Sequence, residues 1–322
     1  MSTWRLIVWD KFRHFLFYRT RSPEQNFYKQ KSIIGVLLGF IFKVFVLVFF
    51  SLVILFPFYF MINTALLTNE QSINGTFYAV PPQANWDSFV SAFNGGYWQA
   101  LAYTILITAV SVGARVFFSM TAGYAFSLKR WRFKNATWLF MLLTLMLPEV
   151  ALLLGQYKII IDLKWNRNGF LIISMFLPFV ASTFSAFMFR NAFAAIPDRT
   201  KEAAMIDGVG SLKFFWKVAI PMAKATVLTV VILTAFASWN SFTWPQLLLN
   251  SNQSGSQRFD VLSTWLFLTG RDNSGIDDNP IIYNNIRMAG AILVIIPMFI
   301  AYILFRKVMM RAISRQGSAI KG

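Results

Sequence analysis

Val44 to Ile62, VFVLVFFSLVILFPFYFMI, runs without one charged side chain. A bilayer core of roughly 30 Å takes about 20 mostly apolar residues as helix, and with no water there the backbone must bond within its own segment. This stretch therefore reads as a membrane helix. Five more runs have the same character: Trp98–Phe126, Thr137–Leu154, Gly169–Phe189, Thr226–Leu248 and Ile286–Phe305. They are too continuous for a barrel of alternating ten-residue strands. The prediction is an all-α integral membrane protein with six transmembrane helices.

Composition agrees, because 57% hydrophobic and 13% charged residues, with 35 Phe and 11 Trp in 322 residues, lie outside the range of soluble domains. The first apolar run starts late, is long and lacks a small-residue cleavage site, so it reads as a permanent helix and not as a signal peptide. Cysteine is absent, which excludes disulfides, thiolate metal sites and cysteine nucleophiles.

The net charge of +17 is distributed by loop. Arg5, Lys11, Arg13, Arg19, Arg21, Lys29 and Lys31 precede the first run, and Lys129, Arg130, Arg132 and Lys134 follow the second. Arg190, Arg199, Lys201, Lys213, Lys217 and Lys224 precede the fifth, and Arg306, Lys307, Arg311, Arg315 and Lys321 follow the last. Asn63–Tyr97 holds no Lys or Arg, and Leu249–Asn285 sets Arg258 and Arg271 against Asp260, Asp272, Asp277 and Asp278. The positive-inside rule then places both termini in the cytoplasm, against the dissent of Lys158, Lys164 and Arg167. The charge is a record of topology and implies no nucleic-acid partner.

Before the first run, Trp4, Val8, Trp9, Phe12, Phe15 and Leu16 recur at helical spacing among basic residues, the pattern of a helix lying in the headgroup plane. Residues 1–36 form that arm and 37–322 the transmembrane domain. Gly35 and Gly39 have the small-residue spacing of a helix packing face. The connection Asn63–Tyr97, with Pro81-Pro82 and Trp86-Asp87, reads as an ordered, partly irregular cap.

Ionisable groups inside spans are costly and therefore informative. Arg115 and Glu149 are the two, Arg115 reading as a side chain that snorkels to the headgroups and Glu149 as one that lines a cavity or reaches water. They make no proton relay. His14 is the single histidine, so no histidine metal site or Ser-His-Asp arrangement can form, and no GxxxxGK[ST] phosphate loop exists. A powered version of this protein needs its ATP, and the accompanying Mg, bound by another subunit. The chain itself takes no cofactor and reads as no enzyme.

The remaining polar stretch between apolar runs is Asn191–Pro221, NAFAAIPDRTKEAAMIDGVGSLKFFWKVAIP. Pro197 suits a first helical turn, Lys201 to Asp207 is strongly helix-forming, and Gly208 suits the left-handed residue that ends a helix. Ser211 is expected to cap a second helix over Leu212–Ile220 before Pro221 leads into the fifth run. Ala203 and Ala204 keep the helix surface low for an approaching backbone, with Met205 and Ile206 as apolar contacts beside Glu202 and Asp207.

Glu202-Ala203-Ala204, three residues, Gly208, nine residues, then Val218-x-Ile220-Pro221 closely resembles the EAA-x3-G-x9-I-x-L-P loop of permease subunits in bacterial ATP-binding-cassette importers. The departures are Val for Ile and Ile for Leu. Ala237-Ser-Trp-Asn-Ser-Phe-Thr-Trp-Pro-Gln-Leu-Leu248 is similar to the SWN-x-F-x-WP-L segment of maltose-permease-type carbohydrate importers, and Ser318–Gly322 to their GAVKG tail. The resemblance covers roughly residues 40 to 322 and implies the type I importer permease fold, with a cytoplasmic coupling helix and both termini inside. It implies a bacterial inner-membrane protein that forms an oligosaccharide path with a second, different permease. Two ATPase subunits and an extracytoplasmic solute-binding protein are the further partners. By the same resemblance Glu202, Ala203, Ala204, Met205, Asp207 and Gly208 contact the ATPase, and the tail from Gln316 through Lys321 reaches toward it. Trp239, Asn240, Trp244 and Glu149 are the candidates for the solute path, since aromatic faces stack on pyranose C–H faces and amides bond hydroxyls. At Trp239, Asn240 and Trp244 helix packing is the competing role. A proton-coupled secondary transporter and a permease for another solute are the alternatives; the first is opposed by the carboxylate-poor interior.

Overall fold

A computed structural model describes residues 33–128, 131–166, 169–250, 259–272 and 281–319, with backbone alone at 33, 34, 36, 149, 150 and 308–319. The expected interfacial arm, Arg167 and Lys321 lie outside these residues. The chain divides into two units, Met1–Phe58 and Tyr59–Gly322.

Helix α1 (Ile33–Ala65) is longer than the apolar run at both ends and carries Pro57 inside it. Membrane helices tolerate such a proline because local adjustments satisfy the freed carbonyl. Gly35 and Gly39 both lie in the first two turns of α1.

The second unit takes in the end of α1 from Tyr59, followed by two short helices, α2 (Asn69–Ile73) and α3 (Asp87–Ala92). Thr68 opens α2 with a reciprocal capping box: its Oγ1 accepts from the Gln71 amide, and the Gln71 side chain accepts from the Thr68 amide. A wide turn at Phe93–Tyr97, with Gly96 at φ 91°, leads into α4 (Trp98–Ser127). Next come α5 (Lys134–Thr144), α6 (Glu149–Asp162), α7 (Phe170–Phe176) and α8 (Thr183–Ala194). The polar stretch supplies α9 (Asp198–Ile206), α10 (Ser211–Phe214) and α11 (Ile220–Met222). The chain closes with α12 (Lys224–Trp239), α13 (Thr243–Asn250), α14 (Leu262–Leu268) and α15 (Asn284–Ala319), the last containing Pro297. A two-residue antiparallel pair, β1 (Arg271–Asp272) with β2 (Ile281–Ile282), precedes α15.

Among the described residues three helices are long and apolar enough to cross a bilayer, or five when two bent pairs each count as one span. Those pairs are Phe170–Phe179 with Thr183–Ala194, bent by 52°, and Ser211–Met222 with Lys224–Trp239, bent by 74°. The expected run Thr137–Leu154 is interrupted. Leu145, Met146 and Leu147 close with tight bonds to Leu142, Leu143 and Thr144, and Pro148, fixed in φ and without an N–H, starts α6 afresh. Thr226–Leu248 is interrupted as well, at Asn240, whose φ −87° and ψ 2° leave the helix.

Arg115 bonds to protein and does not snorkel to headgroups. Its Nε donates to the Phe179 carbonyl at 2.7 Å and its Nη2 to the Pro178 carbonyl at 3.3 Å. These carbonyls lie just before the break between the two bent segments, where helical partners are lacking, and in an apolar medium an unsatisfied carbonyl is expensive.

Helices α4 and α8 cross closely at Gly123, where a Cβ would lie 2.5 Å from Phe189 Cβ and 2.8 Å from the Arg190 amide nitrogen. Association in lipid depends on such packing, because tails are as apolar as the side chains. One core cluster gathers Met120, Phe189, Phe193, Ala204, Phe214 and Phe215; a second joins Tyr97, Leu262, Trp265 and Leu293. The connection before α4 is indeed an ordered cap. Asn285, fully buried on α15, has Nδ2 within hydrogen-bonding distance of the Leu67 carbonyl (3.1 Å), Asn69 Oδ1 (2.8 Å) and Ser88 Oγ (3.0 Å), acceptors for its two side-chain N–H groups to share, while its backbone amide donates to Ser72 Oγ at 3.1 Å.

Candidate functional site

The polar stretch folds as helix, turn, helix. Pro197 (φ −56°, ψ 138°) precedes α9, and Lys201 Nζ lies 3.1 Å from Asp198 Oδ1 one turn earlier. The helix ends at Gly208, whose φ of +66° is the left-handed conformation glycine takes without strain. The Gly208 amide donates to the Met205 carbonyl at 3.1 Å and the Val209 amide to the Ala204 carbonyl at 2.9 Å, the paired bonds of a Schellman end. Gly210, and not Ser211, occupies the position before the second helix; the Phe214 amide bonds to its carbonyl at 2.9 Å, and Ser211 is the first helical residue. A wider turn over Phe215–Ala219 carries the chain to α11, and the 74° bend at Ala223 turns it into α12. Pro221 sits within α11, before that bend.

The two faces of this element differ. Ala204 is 9% exposed and packs into the cluster with Phe193, Phe214 and Phe215, so it faces inward and is not part of the open surface. Val209, immediately after the turn, packs against the same cluster. Tyr124 on α4 completes the seat: its ring centroid is 4.6 Å from that of Phe215 and 5.5 Å from that of Phe193, and its hydroxyl donates to the Ser211 carbonyl at 3.5 Å. The opposite face carries Glu202, Ala203, Met205, Ile206, Asp207 and Gly208, all exposed, with Ile206 at 86%. Leu212, 75% exposed, extends that face beyond the turn. Its helical offset from the buried Phe214 and Phe215 is the signal that would have added it. The arrangement has no chemistry of its own, but its rigid seat and its apolar outer face with acids at both ends suit contact with another protein.

Trp239, Asn240 and Trp244 have separate surroundings. Trp244 is 1% exposed and donates from Nε1 to the Ser174 carbonyl at 2.9 Å, in a cluster with Ile107, Met175 and Leu248. That is packing, and it takes Trp244 out of an open path. Asn240 closes α12, donating from Nδ2 to the Phe236 carbonyl at 3.0 Å, and remains exposed. Trp239 lines a small notch with Thr104, Ser238 and Ser241, and its buried Nε1 has no hydrogen-bond partner. Glu149 is the first residue of α6, distant in sequence from these groups, and its side chain lies outside the description. Gln316 belongs to α15, with backbone alone described there; Lys321 lies beyond the described residues. Among the described residues no group of three His, Cys, Asp or Glu is placed to hold a metal.

Residues 115–316 match the family described as the binding-protein-dependent transport system inner membrane component. The chain is 43% identical over 300 residues to a probable ABC transporter permease protein of Mycoplasma pneumoniae, covering 91% of this chain and 92% of that one. It is 26% identical over 270 residues to the sn-glycerol-3-phosphate transport system permease protein of Yersinia pestis, covering 81% and 91% of the two chains. A chain in the crystal structure of a bacterial ABC transporter involved in the import of the acidic polysaccharide alginate superposes with a TM-score of 0.70 at 22% identity. That likeness, over 88% of this chain and 99% of the other, is one of fold.

Proposed function

The chain belongs to the binding-protein-dependent transport system inner membrane components, and from that premise we propose that it is the permease subunit of an ATP-driven carbohydrate importer, coupled to its motor through Asn191–Pro221. Membership makes it a multi-pass membrane component of an ABC importer that works with a binding protein and an ATPase. The finer reading is ours. Two ATPase subunits bind ATP and Mg; a different permease supplies the other half of the path; both termini face the cytoplasm. Six spans result when α5 and α6 are taken as one broken crossing. Residues 1–36 are an arm lying at the bilayer surface and 37–322 the transmembrane domain.

The carrying observation is the two-faced helix–turn–helix. Met205 at 74% and Ile206 at 86% exposure are unusual on a rigidly seated element unless another surface covers them. We assign Glu202, Ala203, Met205, Asp207 and Gly208 to the ATPase contact, with Ala204 as the residue that seats the helix and Gln316 to Lys321 as a secondary contact. Nucleotide-driven closure of the ATPases then moves α9, and through Tyr124 and Phe193 it moves α4 and α8, biasing the permease between inward-open and outward-open states. The polyhydroxylated solute class is supported by the Ser238-Trp239-Asn240 segment and by the aromatic and hydroxyl side chains, Trp239, Thr104, Ser238 and Ser241, that share one notch. Trp239 is kept as a path residue, Asn240 and Glu149 as path-facing candidates.

The test is Met205→Glu with Ile206→Lys in the assembled, reconstituted transporter. ATP hydrolysis stimulated by the solute-loaded binding protein should collapse while membrane insertion is unchanged. Unaltered stimulation would refute the contact.

A further inference from the structure

Two arginines, Arg271 and Arg287, converge on one phenylalanine. The Arg271 guanidinium carbon is 4.2 Å from the centroid of the Phe267 ring, and Arg287 Nη2 donates to the Phe267 carbonyl at 3.3 Å. Arg287 Nε is buried and has no hydrogen-bond partner. Lys201 and Asp198, elsewhere in the chain, form an ion pair in which neither guanidinium takes part. The two like charges are also close enough for Arg271 to act on Arg287 through space.

Their placement is built. Gly270, at φ +75°, accepts from the Tyr283 amide at 2.7 Å, and β1 pairs Arg271 with Ile282, so Arg271 is held against the first turns of α15, from which Arg287 rises. The Phe267 ring meets Phe242 at 5.5 Å, and Phe242 follows Ser241, a residue of the Trp239 notch. Ser263 Oγ donates to the Ser241 carbonyl at 2.6 Å, tying α14 to that break. A cationic pair, a partly exposed aromatic platform and a mostly apolar notch edged by Thr104, Ser238 and Ser241 thus adjoin one another. Arg271 stands in a connection otherwise poor in basic residues, so it does not belong to the charge asymmetry that sets topology.

We propose that Arg271 and Arg287 form an anion-recognition station that takes the phosphate or carboxylate of a polyhydroxylated solute at the end of its path nearest the Trp239 notch. Planar guanidinium groups match both anions in a bidentate manner, and the free Nε–H supplies a donor already oriented by the bond that Nη2 makes to Phe267. An arriving anion relieves the repulsion between the two cations, while Phe267 and Phe242 offer ring faces to the solute's C–H groups. The inference rests on the importer reading and narrows its substrate class to acidic solutes.

The experiment uses the complete importer in proteoliposomes, with sn-glycerol 3-phosphate as the anionic probe and maltotriose as the neutral one. ATP-driven uptake of sn-glycerol 3-phosphate should fall about ten-fold or more in Arg271→Gln with Arg287→Gln, and Arg271→Lys with Arg287→Lys should recover part of it. Independently, sn-glycerol 3-phosphate and inorganic phosphate, unlike maltotriose, should protect Arg271 from phenylglyoxal, read by peptide mass spectrometry. Uptake of maltotriose alone, unchanged uptake in the Gln variant, or no protection would overturn the station and leave the importer standing. Equal loss of both probes, with loss of hydrolysis stimulated by the binding protein, would also overturn it, assigning the arginines to assembly. Absence of ATP-driven uptake of either probe by the unaltered protein would overturn the importer reading, and the station with it.

Discussion

Arg115 Nε and the Phe179 carbonyl are 2.7 Å apart, so a cation on α4 answers the backbone where the path from α7 to α8 breaks. A hydrogen bond to a charged group contributes about 1.5–3 kcal/mol, and the benefit is greater where water is scarce.

Arg115→Leu should accordingly lower the thermal stability of the purified transporter by several degrees. Arg115→Lys should lie between Leu and the native residue, because an ammonium can reach one carbonyl but not fork across Pro178 and Phe179. Thermal unfolding in nanodiscs checks the order.

Gly123→Val should prevent assembly, since its Cβ meets Phe189 Cβ at 2.5 Å and the Ala186 carbonyl oxygen at 2.9 Å, and backbone atoms cannot step aside. Gly113→Ala on the same helix has open space around the new methyl and should be neutral or slightly stabilising. The yield of monodisperse protein after solubilisation separates the two.

Gly208→Val imposes a β-branched side chain at φ +66°, costing about 1–2 kcal/mol and opening the turn after α9. Hydrolysis stimulated by the loaded binding protein should fall several-fold with insertion intact. Gly210→Ala, where φ is −61° and nothing crowds the new methyl, should retain coupling.

Adjacent alanines should respond in opposite ways. Ala204→Leu overpacks the cluster of Phe193 and Phe215, so stability should drop by about 1–3 kcal/mol. Ala203→Leu lies on the open face and should leave stability unchanged while weakening ATPase attachment, measured by co-purification.

The helical class and the apolar runs were legible because burial in lipid selects side chains, and side chains are what a hydropathy window counts. The breaks at Leu145–Pro148 and at Asn240 were not, since a window as long as a span averages Pro148 and the short polar group Ser238–Thr243 into strongly apolar surroundings. Gly208 announced its turn because few other residues accept that conformation. Ala204 hid its direction: a methyl group suits both a partner's backbone and an aromatic core, and the aromatics that decide the matter, Phe214 and Phe215, come from the following helix. Arg115 stands out in its apolar run, but its acceptors lie more than 60 residues away, beyond any local pattern.

The buried amide of Asn285 also sets a schedule for biogenesis. Its acceptor at Leu67 is 218 residues earlier in the chain. At roughly 5–20 residues per second, the ribosome takes about 10–40 s to travel from one to the other. The cap between α1 and α4 therefore emerges and waits, its final lock still untranslated, and a nascent chain stopped before α15 exposes an unfinished cap to quality-control proteases. Closure of the cap therefore waits on translation of a residue 218 positions beyond its acceptor.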